Sequence, residues 1–194
     1  NAGVYQLNPA STLLLRRKSP GKAVTTDVVL LEPAAENDPT VPTRPALRKA
    51  VVPSFNRELI RNVEAKFVRM TISACSSSQP CLDELSVFAG EENVGLAALG
   101  AKATASSNLP GYPIHQIKHL NDGLYGNAKS WISNESGKGW AQIELPDTKS
   151  ITRIEWGRDR EGKLTDRVVT KYKIEVSLDG ENWQQVASSG DRVP

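Results

Sequence analysis

The sequence predicts an all-β sandwich. From residue 60 onward, short segments with strand-like alternation recur at 67–72, 82–88, 141–145, 151–156, 171–177 and 183–187. Each is bounded by Gly, Pro, Asn, Asp or Ser, and helical periodicity is nearly absent, a pattern of short strands joined by turns. The chain of 194 residues can bury a sizeable core, and its 39% hydrophobic and 24% charged composition is that of a globular protein. With 24 basic against 22 acidic residues the formal net charge is only +2, too weak a field for a dedicated nucleic-acid or anionic-membrane binder. No apolar run approaches the ~18–20 residues that span a bilayer. The start, Asn1-Ala2-Gly3, reads as that of a processed or trimmed fragment.

The chain is lopsided. All four Trp (131, 140, 156 and 183) fall in the last third, and seven of the twelve Pro precede residue 60. Residues 1–60 read as an N-terminal extension, with short strands at Thr12–Leu15 and Asp27–Leu31 around the turn Ser19-Pro20-Gly21. The Pro-, Ala- and charge-rich stretch from Glu32 to Pro53 reads as an extended connector, and 56–63 as a weak helical turn. Residues 61–194 are the expected sandwich.

Within it, Phe67–Ile72 and Leu82–Phe88 flank the only two cysteines, Cys75 and Cys81, which enclose Ser-Ser-Ser-Gln-Pro. A disulfide across the mouth of that loop is the expectation and implies an oxidising compartment; the alternative is two unpaired, half-buried thiols. Trp140–Leu145 alternates and is closed by Pro146-Asp147. Lys173–Ser177 alternates strictly, and Asp179-Gly180 marks a hairpin turn from which Trp183 returns to the core.

From residue 93 to 188 the phrases Ala103-Thr104-Ala105-Ser106-Ser107, Leu120-Asn121-Asp122-Gly123, Ser130-Trp131, Gly139–Leu145, Ile151–Ile154 and Tyr172–Trp183 follow one another in order. Together they resemble the discoidin domain, also called the coagulation-factor C-type or galactose-binding-like module. The resemblance implies a jelly-roll β-sandwich with binding loops at one end and, usually, no catalysis. Such domains close with two further strands, whereas this chain ends soon after the Trp183 hairpin. The missing pieces resemble Ala65–Ile72 and Asp83–Gly90. A circular permutation is therefore expected, with the last two strands (65–90) placed first; the alternative assigns 65–90 to a preceding domain and leaves raw sheet edges.

The resemblance also implies sites. Carried over from relatives that hold a structural Ca2+, the ligands are Asp122, Ser130, Glu84 and Asn127, with His119 and Tyr125 as further oxygen or side-chain donors. A metal-free Asp-Gly turn capped by Asp122 is the alternative. In sugar-binding relatives an Arg at the position of Arg158 bonds ligand hydroxyls, and Arg160, Asp159, Asn134 and Tyr112 lie on neighbouring loops. The other reading of 158–167 is a surface ion-pair network. Trp131, Trp140 and Trp183 fall on core positions of the family.

Enzymatic readings find little. His115 and His119 lack a third metal ligand, Ser106-Ser107 lacks a nucleophile elbow, and no carboxylate pair stands out among 22 acids. Asn134-Glu135-Ser136 is a formal glycosylation sequon. The expectation is a non-catalytic, secreted, periplasmic or cell-surface binding module of a larger exported protein. It binds carbohydrate through the 108–116, 132–138 and 157–167 loops, or else serves as a structural or protein-interaction domain with no sugar site.

Overall fold

The computed structural model describes residues 47–193. The strands expected at 12–15 and 27–31 lie outside that range. Half-buried alternating segments became strands, nine in all among the described residues: β1 (Asn56–Cys75), β2 (Cys81–Leu82), β3 (Glu84–Ala89), β4 (Glu92–Asn93), β5 (Lys102–Ala105), β6 (Trp131–Ile132), β7 (Gly139–Gly157), β8 (Val169–Ser177) and β9 (Gln184–Ser188). Four single-turn 3-10 helices are the only helical elements described, and every strand pairing is antiparallel.

Two long strands organise the sandwich. β1 runs beside β7 along its length, with register breaks between Leu59 and Val63 and between Ala65 and Phe67. These breaks divide the pair into three segments, residues 56–59, 63–65 and 67–72 of β1. The first half of β1 pairs with the second half of β7, whose other edge carries β3 and then β4. The second half of β1 pairs with the first half of β7 and with β8, which carries β9; β5 lies on the far edge of β7. The strands β1 and β3, upstream in sequence, thus share one sheet with β7 and β8.

Alternation explains the core. Val68, Met70 and Ile72 of β1, Ala141, Ile143 and Leu145 of β7, and Ile174 and Val176 of β8 point inward with Trp131, Trp156 and Leu85. Each buried aliphatic or aromatic side chain contributes about 1.5–3 kcal/mol. β7 is one strand where the sequence suggested two, and Pro146 falls in the stretch that interrupts its ladder with β1. A proline, lacking an N–H, is tolerated where no ladder bond is needed.

Three expectations are corrected. Residues 56–63 are not a helical turn but the start of β1, with Asn56, Glu58 and Ile60 buried and Arg57, Leu59 and Arg61 exposed. That period of two, with charges inside, resembled no amphipathic strand in the sequence because the buried carboxylate of Glu58 is neutralised from afar. Arg48 and Arg192 both donate to it, as does the Tyr172 hydroxyl. Second, Cys75 and Cys81 are free thiols. The Cys75 thiol donates to the carbonyls of Ser77 and Ser78 within its own loop, while Cys81 is buried against the Arg158 carbonyl. The two sulfurs are therefore turned to different partners. Third, Trp140 and Trp183 are half-buried outer-face residues rather than core. They flank Arg69, whose guanidinium lies 4.9 Å from one ring centroid and 4.0 Å from the other and donates to Gln142. Trp156, on the opposite sheet half, takes the fully buried place and packs edge-on against Tyr172.

Candidate functional site

β7 ends at Gly157, and the chain there touches the segment before β1. A Cβ at 157 would stand 2.5 Å from the Ser54 carbonyl oxygen, so only glycine fits. The Arg158 and Asp159 amides then donate to the Pro53 carbonyl. This close approach aims Arg158 inward at the loop end, where it is 2% exposed.

A cavity of about 240 Å³ opens beside it, lined by Leu109, Tyr112, His115, Asn127, Ile132, Leu164, Asp166 and Arg167 together with Arg158 itself. Arg158 donates through Nε and Nη2 to the Asp166 carboxylate and through Nη1 to the Asn127 side-chain oxygen. His115 Nδ1 lies 2.8 Å from Ser130 Oγ, and the Ser130 hydroxyl donates to the Asn127 carbonyl. Ser130 has one proton to give, so His115 Nδ1 carries the proton of their shared bond and Nε2 is left as an acceptor. Burial, followed by the nearby charges of Arg158 and Arg167, lowers the His115 pKa and so favours the neutral ring. Tyr112 is 54% exposed and tilts over His115 with ring centroids 5.9 Å apart. It also lines a second, open cavity of about 380 Å³ with Asn108, Pro110 and Gln116. Donors, a neutral acceptor and an exposed aromatic face therefore converge on one small concavity.

Residues 102–193 match the family model of the F5/8 type C domain. The discoidin resemblance holds over that segment, and the all-β, antiparallel architecture is the one that family implies. F5/8 type C domains are carbohydrate- or protein-binding modules, generally without catalysis, and occur in extracellular proteins. No helix among the described residues is long and apolar enough to cross a membrane. Neither the comparison with curated proteins nor that with solved structures gives a match.

Within and around the matched segment, the structure sorts the residues read from sequence. Arg158 and Tyr112 meet in the cavity. Asp159 does not: it is fully buried and its carboxylate accepts from the Glu161, Lys163 and Leu164 amides, shaping the loop. Arg160 turns to the other side, 3.6 Å from Asp83 and stacked over Tyr125 at 4.5 Å. Asn134 is exposed on a separate turn, its amide bonded to Ser107. His115, Asn127, Asp166 and Arg167 were not read as ligand-binding residues. The signal for His115 and Asn127 was a Ser-mediated contact between loops, which no local spacing encodes.

The residues read as metal ligands separate likewise. Ser130 and Asn127 serve the cavity. Glu84 and Asp122 face the 121–126 loop: Glu84 Oε2 accepts from the Gly123 amide, and Asp122 accepts from the Leu124 amide and lies 2.6 Å from His119 Nδ1. Glu84 Oε1 is buried with no hydrogen-bond partner, and burial pushes its carboxyl up to about 8. The adjacent Asp83 is pushed up to about 6 for the same reason, although it accepts from the Gly126 and Arg160 amides. No group of three or more His, Cys, Asp or Glu side chains among the described residues is arranged to hold a metal ion. A cation here would thus rely on Glu84, Asp122 and main-chain oxygens, a donor set suited to Ca2+.

Proposed function

We propose that the domain is a non-catalytic carbohydrate-binding module of an exported protein, secreted, periplasmic or displayed at the cell surface. Saccharide binds at the loop-end cavity. The observation that carries this reading is the convergence of Arg158, Asn127 and neutral His115 beneath exposed Tyr112. Sugar hydroxyls need donors and acceptors side by side, and the apolar face of a pyranose needs an aromatic ring. Because Tyr112 and Leu109 line both cavities, the site has room for more than one sugar ring. Titration of neutral and acidic oligosaccharides by calorimetry tests it: at least one binds, and Tyr112→Ala weakens it about tenfold, the loss of roughly 1.4 kcal/mol, without lowering the melting temperature. A complete absence of binding across a glycan array overturns the reading.

A structural Ca2+ belongs to the same proposal, held by Glu84 and Asp122 with main-chain oxygens of the 121–126 loop. Its support is the unpartnered, buried Glu84 oxygen, since a buried carboxylate without compensation is unfavourable. Bound there, the ion would take the place of the proton that burial favours on Glu84 and hold the loop that leads to Asn127. Calcium should raise the melting temperature by several degrees, and Glu84→Gln should abolish the rise; a melting temperature indifferent to calcium and chelator contradicts it.

A second reading, a docking module for a protein partner or neighbouring domain, has its own observation. Between the exposed edge of β1 and β9 run two adjoining cavities of about 550 and 450 Å³, sharing Leu59, Gln185 and Val186, with Leu59 77% exposed. A blank glycan array would favour this reading.

A further inference from the structure

We propose that the loop-end cavity selects saccharides bearing a carboxylate, the uronic acids, and that Arg167 is the residue that reads the acid group. The inference rests on the saccharide reading of the same cavity and names its substrate class.

The first support is how Arg167 is held. It is a non-glycine residue with φ of 56°, in the left-handed region that side chains rarely adopt. Its amide donates to Ser77 Oγ and its carbonyl accepts from the Cys81 amide, so both of its backbone groups are fixed by the 75–81 loop. The sequence thus keeps a sterically disfavoured arginine at the cavity wall where glycine or asparagine would fit the backbone more readily.

The second is what its guanidinium leaves free. Nη1 donates to the side-chain and main-chain oxygens of Gln79, and Nε lies 3.5 Å from Asp166. Nη2 makes no hydrogen bond among the described residues, and the side chain is 24% exposed. One nitrogen of a planar, charged donor group is therefore left unfilled, and a carboxylate oxygen is the acceptor that such a donor binds most strongly.

The third is the charge of the lining. Arg158 and Arg167 face one carboxylate, Asp166, which is 51% exposed and already shared between them. His115 adds no negative charge, and the neighbouring Asp159 spends its oxygens on its own loop amides. The cavity is left with a net positive wall. A neutral hexose would bond His115 but leave the unfilled Arg167 nitrogen to water.

Matched pairs test this directly: galactose against galacturonate and glucose against glucuronate, as monosaccharides and as short oligomers, titrated into the protein. The acidic member of at least one pair should bind about tenfold more tightly at low ionic strength, with the difference shrinking as salt is raised. Arg167→Gln should bring the two affinities to within about twofold, and Arg167→Lys, which keeps charge but not the fork, should retain part of the difference. Equal or tighter binding of the neutral member overturns the acid selectivity while leaving the saccharide reading intact. A preference that survives Arg167→Gln overturns the role of Arg167. If no member of any pair binds, the saccharide reading itself falls, and this inference with it.

Discussion

His115 sits where burial and two arginines act in the same direction. Both disfavour the imidazolium, and the proton on Nδ1 is tied to Ser130. In the unfolded chain the same ring takes up a proton near pH 6.5. Its folded pKa lies lower, so between the two values the unfolded state binds more protons. Stability is then complete above pH about 6.5 and declines as the pH falls from there through the folded value. We expect urea melts of the protein to weaken over that window, and His115→Gln to flatten the slope. A His115 ring that titrates by NMR at or above pH 6.5 contradicts the account. Arg69 illustrates the opposite case of a charge kept half in water. Stacked between Trp140 and Trp183, it holds two indoles on the outer sheet face, each contact being worth about 0.5–1 kcal/mol at an exposed site. Family position placed those tryptophans in the core; the register of β1, with Arg69 opposite Gln142 on the outward face, places them outside.

At the scale of elements, the strands that were legible are those with one dry and one wet face. Phe67–Ile72 and Lys173–Ser177 alternate because their inward residues meet a common core, so their sequence alone reveals them. The start of β1 was not legible, because its inward face carries Asn56, which bonds the Val52 backbone, and Glu58, whose partners are Arg48 ten residues upstream and Tyr172 and Arg192 from the far end of the chain. The candidate site was legible in part for the same reason. Arg158 and Tyr112 stand out by residue type and loop position, whereas Asn127 and His115 acquire their roles only when Ser130 joins two loops. The turn at the end of β7 makes a sharper prediction. Gly157→Ala would put a Cβ 2.5 Å from the Ser54 carbonyl oxygen and must push that carbonyl away, breaking the Pro53 contacts that seat Arg158. We expect a loss of about 1–3 kcal/mol in stability and a weaker saccharide affinity; an alanine variant as stable and as active in binding as the parent would show that this contact does not place Arg158.

For the whole molecule, the order of strands is the main question. The F5/8 type C match begins at residue 102, yet β1 lies between β7 and β8 and β3 lies on the edge of β7. We propose on that basis that the domain is circularly permuted, its closing strands preceding its opening ones in sequence. Without β1 the remaining strands would face each other across the gap that Val68, Met70 and Ile72 now fill. Removing residues 47–90 should therefore abolish cooperative unfolding, and a two-state melt from 91–194 alone would contradict the permuted arrangement.

Saccharide binding at the loop end, beside Tyr112, is open to a direct test. Amide and side-chain chemical-shift mapping during titration with an oligouronate tests it most directly. Saturable shifts are expected at Tyr112, His115, Asn127, Arg158 and Arg167, with Leu59 and Val186 on the open sheet edge unmoved. Shifts confined to that edge, or none at saturating ligand, would contradict it.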